Sequence, residues 1–257
     1  PEAEVAFVAS NPSTGAILAY QGGFNFSKSN FDRVNQSFPQ AGSSFKPFIY
    51  SAAIANGYKA SDTINDAPII FEDQNLESAW RPENYTGKFY GPIRLREALV
   101  QSVNIVSIKL LRELGIDKAH TFLENFGFPK SRLAPDLSLA LGSSSFSPAE
   151  MIRAYNFLAN SGEGKNLYFI EKIIDRDNNI IFQHPHAQPE LDDTKSLDGF
   201  PWFTEELMEE IQPFDLLPKL NKKNTSIDTK IAFITKDILR EAIQRGSNGR
   251  KTKILNR

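Results

Sequence analysis

Residues 42–48 read Gly42-Ser43-Ser44-Phe45-Lys46-Pro47-Phe48, a loop that turns into a helix. Proline is tolerated in the first turn of a helix, where its missing N–H group costs nothing, so this helix is predicted to begin within a residue or two of Pro47. The helix is predicted to end near Asn56-Gly57, a pair that suits a left-handed C-terminal cap. The apolar residues between these points are spaced as one buried stripe: Phe48, Ile49, Ala52 and Ala53.

Ser43 and Lys46 are the candidate reactive pair in this stretch. Three residues apart, they are predicted to share one face of the helix, where an amine can reach a hydroxyl. A serine at a helix N-terminus also lies near free N–H groups that favour a developing anion. Lys46 could act as a base only if its surroundings lower its pKa, and a charged lysine that orients the serine is the alternative.

A second polar motif follows 59 residues downstream. Ser102-Val103-Asn104 is the only S-x-N in the chain, and Ser43 to Lys46 is its only S-x-x-K. The tripeptide lies between two apolar, helix-forming runs, 95–100 and 105–111, so it can project a hydroxyl and an amide into a cleft. Alone, S-x-x-K is a weak signal, but the two motifs in this order indicate serine chemistry.

These motifs resemble those of the serine acyltransferases that include penicillin-binding proteins and class A β-lactamases, which carry S-x-x-K, S-x-N-type and K-T-G signatures. The surrounding sequence resembles more narrowly the transpeptidase domain of class A penicillin-binding proteins of the 1A type. The resemblance runs from residue 5 to about 182 and resumes weakly at 230. Besides residues 42–48, it rests on Gly22-Gly23, Asn35-Gln36-Ser37, Trp80-Arg81-Pro82-Glu83-Asn84-Tyr85 and Gly91-Pro92-Ile93-Arg94-Leu95-Arg96.

The resemblance implies an α+β fold, with helices packed on an antiparallel sheet and an all-helical region, as in serine β-lactamases and DD-peptidases. It also implies a DD-transpeptidase that cross-links peptidoglycan stem peptides through a serine acyl-enzyme and is the target of β-lactams. Ser43 would be the nucleophile and Lys46 its base, Ser102 would relay a proton, and Asn104 would hold the substrate amide and the lysine.

Two aromatic residues between the motifs are candidates for substrate binding. Trp80 and Tyr85 lie in a stretch rich in proline and glycine, of the kind that builds the wall of a cleft. They could line a groove for a peptide. The alternative is a small aromatic core that holds the loop down.

One family motif is missing, because the chain contains no K-T-G. Lys251-Thr252-Lys253 is no substitute, since its third residue is not glycine. The chain is therefore expected to stop short of the K-T-G strand, which would leave an incomplete central sheet and one absent oxyanion donor. Losing such a donor typically costs about a hundredfold to a thousandfold in rate.

Two rival functions remain open. The missing K-T-G favours a non-catalytic, transpeptidase-like scaffold. A β-lactamase-type hydrolase would need a deacylating glutamate, and Glu150 lies in a predicted capping box while Glu163 lies in a turn.

Composition narrows the class of protein. With 257 residues, of which 40% are hydrophobic, the chain can bury a full core, as one large domain or as one domain plus a small subdomain. A net charge of −2 argues against nucleic acid as a partner. The absence of cysteine and the presence of only three histidines argue against a metal site, and serine–lysine chemistry needs no cofactor.

The resemblance also implies a location, at the periplasmic face of the bacterial inner membrane. The parent protein is expected to carry an N-terminal membrane anchor and a glycosyltransferase domain. Neither is expected in these residues, which contain no apolar run of about 20.

Periodicity and turn residues predict the remaining elements and their grouping. The expected order is a hairpin over 5–20, irregular chain over 58–92, helices over 93–114 and 116–126, a helix from the Ser147–Glu150 capping box, a hairpin over 168–182, and a helix over 231–244 that stops at Gly246. Residues 1–183 are predicted to form the transpeptidase core and 184–228 an acidic excursion. Residues 229–257 would form a return helix that leads toward the K-T-G strand.

Overall fold

The computed structural model describes residues 4–70, 80–185 and 226–255. The chain is α+β, with helices and small antiparallel sheets, as predicted. Each sheet has two strands, formed by β1 with β2, β3 with β4, and β5 with β6. The elements are β1 Phe7–Ser10, β2 Ile17–Gln21, α1 Lys46–Ala55, β3 Thr63–Asp66, β4 Gly91–Arg94, α2 Leu95–Val100, α3 Asn104–Leu114, α4 Ile116–Leu123, α5 Pro148–Ala159, β5 Lys172–Ile174, β6 Ile180–Gln183 and α6 Thr229–Leu255.

Helix α1 runs through the middle of the core, because almost every face of it is apolar. It begins at Lys46 with proline in its first turn and ends at Ala55, followed by Gly57 with a φ of 97°. Helices α3, α4 and α6 pack around it. Beneath its N-terminus lies a cluster of aromatic rings with centroids 4.5–5.6 Å apart, formed by Phe45, Phe48, Phe128 and Phe146. This cluster fixes the start of the helix.

The predicted hairpins over 5–20 and 168–182 are present as β1–β2 and β5–β6. The prediction of irregular chain over 58–92 was wrong in part, since Thr63–Asp66 pairs with Gly91–Arg94. A four-residue strand is too short to show a clear alternation, and Gly91-Pro92 has the composition of a turn. Proline is tolerated in β4 because β4 is an edge strand.

The helices follow their local signals, with two differences, at the start of α2 and at the end of α6. The two predicted helix-forming runs on either side of residues 101–103 are present as α2 and α3, but residues 93 and 94 belong to β4 and not to a helix. The capping box of α5 is present, with Glu150 N–H donating to Ser147 Oγ over 3.2 Å. Gly246 does not stop α6, which continues to Leu255 and includes the Lys251-Thr252-Lys253 sequence. Glycine lowers helix propensity by about 1 kcal/mol, but it ends a helix only when it turns left-handed, and Gly246 does not.

Most of the predicted acidic excursion, residues 186–225, lies outside the described residues. Across the three described ranges, no helix combines the length and the apolar character needed to cross a membrane.

Candidate active site

Ser43 lies on a 3₁₀ turn, Gly42–Phe45, that runs directly into α1. Side chains three residues apart eclipse each other in a 3₁₀ turn, so Ser43 and Lys46 lie in line, about 6 Å apart along the axis. Ser43 is exposed, and its hydroxyl has no hydrogen-bond partner within the described part of the chain. The neighbouring Ser44 Oγ instead donates to Ala41 O over 2.5 Å. Ser43 therefore presents the uncommitted hydroxyl of the two.

A glycine contact holds the loop that carries Ser43. Gly42 N–H donates to Gly142 O over 2.9 Å, and Ala41 N–H donates to Ser144 O over 3.0 Å. Gly142 has a φ of 73°, and a Cβ atom added there would lie 2.0 Å from Gly42 O. Only glycine fits this close approach, so Gly142 sets the path of the backbone next to Ser43.

A tyrosine holds the same turn from the other side. Tyr155, on α5, donates its hydroxyl to Ser44 O over 2.7 Å. Burial raises the pKa of Tyr155 to about 12, so this hydroxyl stays a donor at neutral pH.

Lys46 connects the two sequence motifs. Its side chain is buried, and Nζ donates to Ser102 O over 2.7 Å, to Ser102 Oγ over 3.0 Å and to Asn104 Oδ1 over 2.7 Å. These contacts bring Ser102 and Asn104, more than 55 residues away in sequence, onto the amine. Burial lowers the pKa of Lys46 to about 8. The structure thus gives this lysine a lower pKa and three oxygen partners.

The backbone at Ser102 is strained. Ser102 has a φ of 55°, a left-handed conformation that costs a non-glycine residue on the order of 1–3 kcal/mol. Hydrogen bonds from Ser102 N–H to Leu99 O (3.0 Å) and from Val103 N–H to Ala98 O (2.9 Å) maintain it. The turn lets both the carbonyl and the hydroxyl of Ser102 face the same amine.

Two residues that sequence reasoning missed support the second motif. Val103, the residue before α3, has no side chain that can cap the helix. Asn84 takes this role from 20 residues upstream, since its Oδ1 accepts from Asn104 N–H (3.0 Å) and Ile105 N–H (3.2 Å). Asn84 Nδ2 donates to both carboxylate oxygens of Asp66 over 2.9 Å. Two features of the sequence could have pointed to Asn84. It lies in the 80–85 segment that carries the family resemblance, and Val103, the N-cap of α3, cannot cap its own helix.

The two predicted substrate-binding aromatics have different surroundings. Trp80 is partly buried and packs against the main hydrophobic core, not against a separate aromatic core. Tyr85 is fully exposed, so it is not part of an aromatic core. Because Tyr85 follows Asn84, it extends from the segment that contacts the second motif.

Comparison with known proteins gives the same family that the two motifs resemble. Residues 5–255 match the family model described as the penicillin-binding protein transpeptidase domain. Penicillin-binding protein 1A of Pseudomonas aeruginosa is 47% identical over 183 residues, which cover 71% of this chain and 22% of that protein. The chain thus spans about a fifth of the length of this relative.

Solved structures give the same assignment. The crystal structure of penicillin-binding protein 1A from Haemophilus influenzae aligns with 94% of this chain and 35% of its own, at a TM-score of 0.77 and 35% identity. PonA1 from Mycobacterium tuberculosis in complex with penicillin V aligns with 69% of this chain and 49% of its own, at a TM-score of 0.60 and 25% identity. The family model covers nearly the whole sequence, and this chain belongs to the penicillin-binding protein transpeptidase family, of the class A, 1A type.

Proposed function

We propose that this chain is the acyl-transfer unit of a DD-transpeptidase that cross-links peptidoglycan stem peptides. The observation that carries the proposal is the position of Lys46, whose Nζ lies within 3.0 Å of Ser102 and Asn104 and one helical turn from Ser43. In the proposed reaction, Ser43 Oγ attacks the carbonyl carbon of the D-Ala–D-Ala amide. Lys46 takes the hydroxyl proton as the C–O bond forms.

The surroundings of Lys46 favour its neutral form as the base. Ser102 O and Asn104 Oδ1 can only accept, so a neutral amine gives its two N–H groups to them and keeps a lone pair for a hydroxyl. With a pKa of about 8, roughly a tenth of the molecules carry a neutral lysine at pH 7. For an ordinary lysine the fraction is about one in 2,500.

The remaining steps use the second motif. Ser102 Oγ relays the proton from Lys46 to the nitrogen of the departing D-Ala as the C–N bond breaks. Asn104 holds the amide of the substrate as well as the lysine. An amine of a second stem peptide then attacks the ester on Ser43, which forms the cross-link and returns the proton to Ser43 Oγ.

Substrate binding and charge stabilisation need further groups. We assign Tyr85 to the peptide groove because its ring is exposed and it follows Asn84, which contacts the second motif, with Trp80 as the residue that packs on the core. Ser43 N–H supplies one oxyanion donor. The second is proposed to come from a K-T-G strand outside these 257 residues.

We further propose that the whole protein is anchored by an N-terminal helix at the periplasmic face of the inner membrane and also carries a glycosyltransferase domain. Both proposals come from the class A resemblance.

We also propose that β-lactams acylate Ser43 and stay attached. PonA1 has been solved in complex with penicillin V, which supports this ligand class. A hydrolase would need a free carboxylate to activate water. Glu150 is instead engaged by Ser147 N–H (2.9 Å) and by Arg132 (3.0 Å), which favours a long-lived acyl-enzyme over rapid turnover.

Labelling with a fluorescent penicillin tests the proposal, with the two adjacent serines as matched variants. Ser43→Ala should reduce labelling to background, because it removes the nucleophile. Ser44→Ala should label within about threefold of the wild type, since the hydroxyl of Ser44 is bonded to Ala41 O. Equal labelling of Ser43→Ala and the wild type would remove Ser43 from this role.

A further inference from the structure

We propose that Asn84, held in place by Asp66, is a positioning residue that fixes the amide of Asn104 against Lys46. The proposal rests on the proposed function, in which Lys46 and Asn104 act in acyl transfer. Asn84 itself would touch neither substrate nor the reacting atoms. It would act through the first turn of α3.

The carboxamide of Asn84 is almost fully buried and uses both of its ends. Oδ1 accepts from the N–H groups of Asn104 and Ile105, while Nδ2 donates to Asp66 and, over 2.9 Å, to Lys88 O. The backbone N–H groups of Asn104 and Ile105 can only donate, and Lys88 O can only accept. These partners therefore leave a single orientation for the Asn84 amide.

The same segment determines which way the Asn104 amide faces. Asn104 Nδ2 donates to Glu83 O over 2.9 Å, so its Oδ1 is left to face Lys46 Nζ at 2.7 Å. Because Glu83 and Asn84 are consecutive, one short piece of chain holds both the backbone and the side chain of Asn104. Without this support, the amide could rotate and present its NH₂ group to the amine.

Asp66 is itself held in place, so it can fix the side chain of Asn84. It is completely buried at the end of β3 and also accepts from Tyr90 N–H over 2.8 Å. Lys109, on α3, donates to Asn65 O over 2.7 Å and to Ala67 O over 3.2 Å. The backbone on both sides of Asp66 is therefore bound to the helix whose start Asn84 caps.

Hydrogen bonds thus link β3, Asn84 and α3 to one another. A positioning role for Asn84 predicts an effect on the chemistry of Lys46 that a purely structural role does not. If Asn84 only stabilises the fold, removing it lowers the melting temperature and leaves Lys46 as it is. If Asn84 positions Asn104, removing Asn84 also loosens the contacts of Lys46 Nζ with Ser102 and Asn104 and admits water to the amine. Both the pKa of the lysine and the rate of acylation would then change.

The test uses the 257-residue chain with three variants. Asn84→Ala removes the positioning residue. The exchange variant, Asp66→Asn with Asn84→Asp, keeps a hydrogen bond between these two side chains with donor and acceptor reversed. It also keeps an acceptor for Asn104 N–H and Ile105 N–H but loses the donor to Lys88 O. Asn156→Ala is the matched control, because Asn156 is also a buried asparagine with both ends engaged, here by Ser10 Oγ at 2.9 and 3.2 Å.

Three quantities are measured on each variant. They are the melting temperature, the second-order rate constant of acylation by fluorescent penicillin from pH 6 to 10, and the pKa of Lys46. The pKa is obtained by NMR titration of the Lys46 ¹³Cε resonance, assigned by its loss in Lys46→Arg.

We expect Asn84→Ala to acylate at least tenfold more slowly than the wild type and its Lys46 pKa to rise by one unit or more. The exchange variant should acylate at least threefold faster than Asn84→Ala, because it keeps an acceptor for Asn104 N–H. Asn156→Ala should lose thermal stability while keeping the wild-type rate within twofold and an unchanged Lys46 pKa.

Two results would overturn the inference. One is an Asn84→Ala protein with unchanged Lys46 pKa and wild-type acylation. The other is an exchange variant that folds and yet acylates no faster than Asn84→Ala. If the wild type itself is not labelled, the proposed function fails, and the Lys46 pKa alone decides whether Asn84 positions the amide.

Discussion

Among single residues, Lys46 carries most of the proposed chemistry. A lysine on the first turn of a helix is usually exposed, but α1 lies inside the core and takes Lys46 with it. Burial lowers the pKa of its amine to about 8, while three oxygen atoms keep it hydrogen-bonded. The sequence left the neutral and charged roles open because it contains no measure of burial. The lowered pKa supports the role of a base in the proposed reaction.

The acylation rate should therefore rise with pH and level off. Below a pKa of about 8, Lys46 Nζ is protonated and has no lone pair, so the rate should fall about tenfold per pH unit. Lys46→Arg stays charged throughout and should show a rate at least a hundredfold lower, without the rise. Stopped-flow measurement with fluorescent penicillin from pH 6 to 10 checks this. A wild-type rate that is flat across that range would indicate the charged, orienting role instead.

Among secondary-structure elements, those with a local signal could be predicted and those held by distant partners could not. α1 and α5 are marked by proline in the first turn, and α5 also by a capping box between Ser147 and Glu150. β3 was missed because its partner begins with Gly91-Pro92, and the end of α6 was misplaced because Gly246 remains helical. Both motifs were recognised from their residues, their order and the family resemblance, and the structure brings Lys46, Ser102 and Asn104 together. Asn84 was missed because a cap supplied from 20 residues away leaves no periodic trace.

Gly142→Ala should show how strongly the loop before α1 depends on the absence of a side chain at position 142. Alanine at a positive φ costs about 1–2 kcal/mol, and a Cβ atom 2.0 Å from Gly42 O forces the backbone apart at a further cost of about 1–3 kcal/mol. The shift would also move Ser43, so acylation should fall at least tenfold. Denaturant unfolding and penicillin labelling measure the two effects.

Gly57→Ala is the control for the backbone cost alone. Gly57 also has a positive φ, 97°, but a Cβ atom there meets nothing within 4 Å. Gly57→Ala should therefore cost about 1–2 kcal/mol of stability and leave acylation unchanged. Equal losses of stability in the two variants would show that the contact between Gly142 and Gly42 is not tight.

For the molecule as a whole, the last described helix completes the core formed by the first two-thirds of the chain. α6 packs against α1, α2 and α5. Thr235 Oγ1 lies 2.9 Å from Ser51 Oγ, and both residues are fully buried. Arg96, on α2, forms ion pairs with Asp237 and Glu241 on α6. Residues on either side of the predicted 184–228 excursion therefore belong to one structural unit.

Ile238→Ala should destabilise the whole chain and not only its last helix. Ile238 is 1% exposed, and its truncation should reduce the free energy of unfolding by about 2–5 kcal/mol. Ile243→Ala, on the same helix at 73% exposure, should change it by no more than about 0.5 kcal/mol. Urea unfolding followed by tryptophan fluorescence compares them. Similar small losses in both would mean that α6 is not part of the cooperative core.

The central claim is that Ser43, one turn before Lys46, is the residue that becomes acylated. Mass-spectrometric peptide mapping after incubation with penicillin tests it most directly, because it locates the bond to one side chain. The account predicts a single ring-opened penicillin on Ser43, with Ser44 and Ser102 unmodified. An adduct on Ser44 or Ser102, or none under conditions in which the chain is folded, would contradict it.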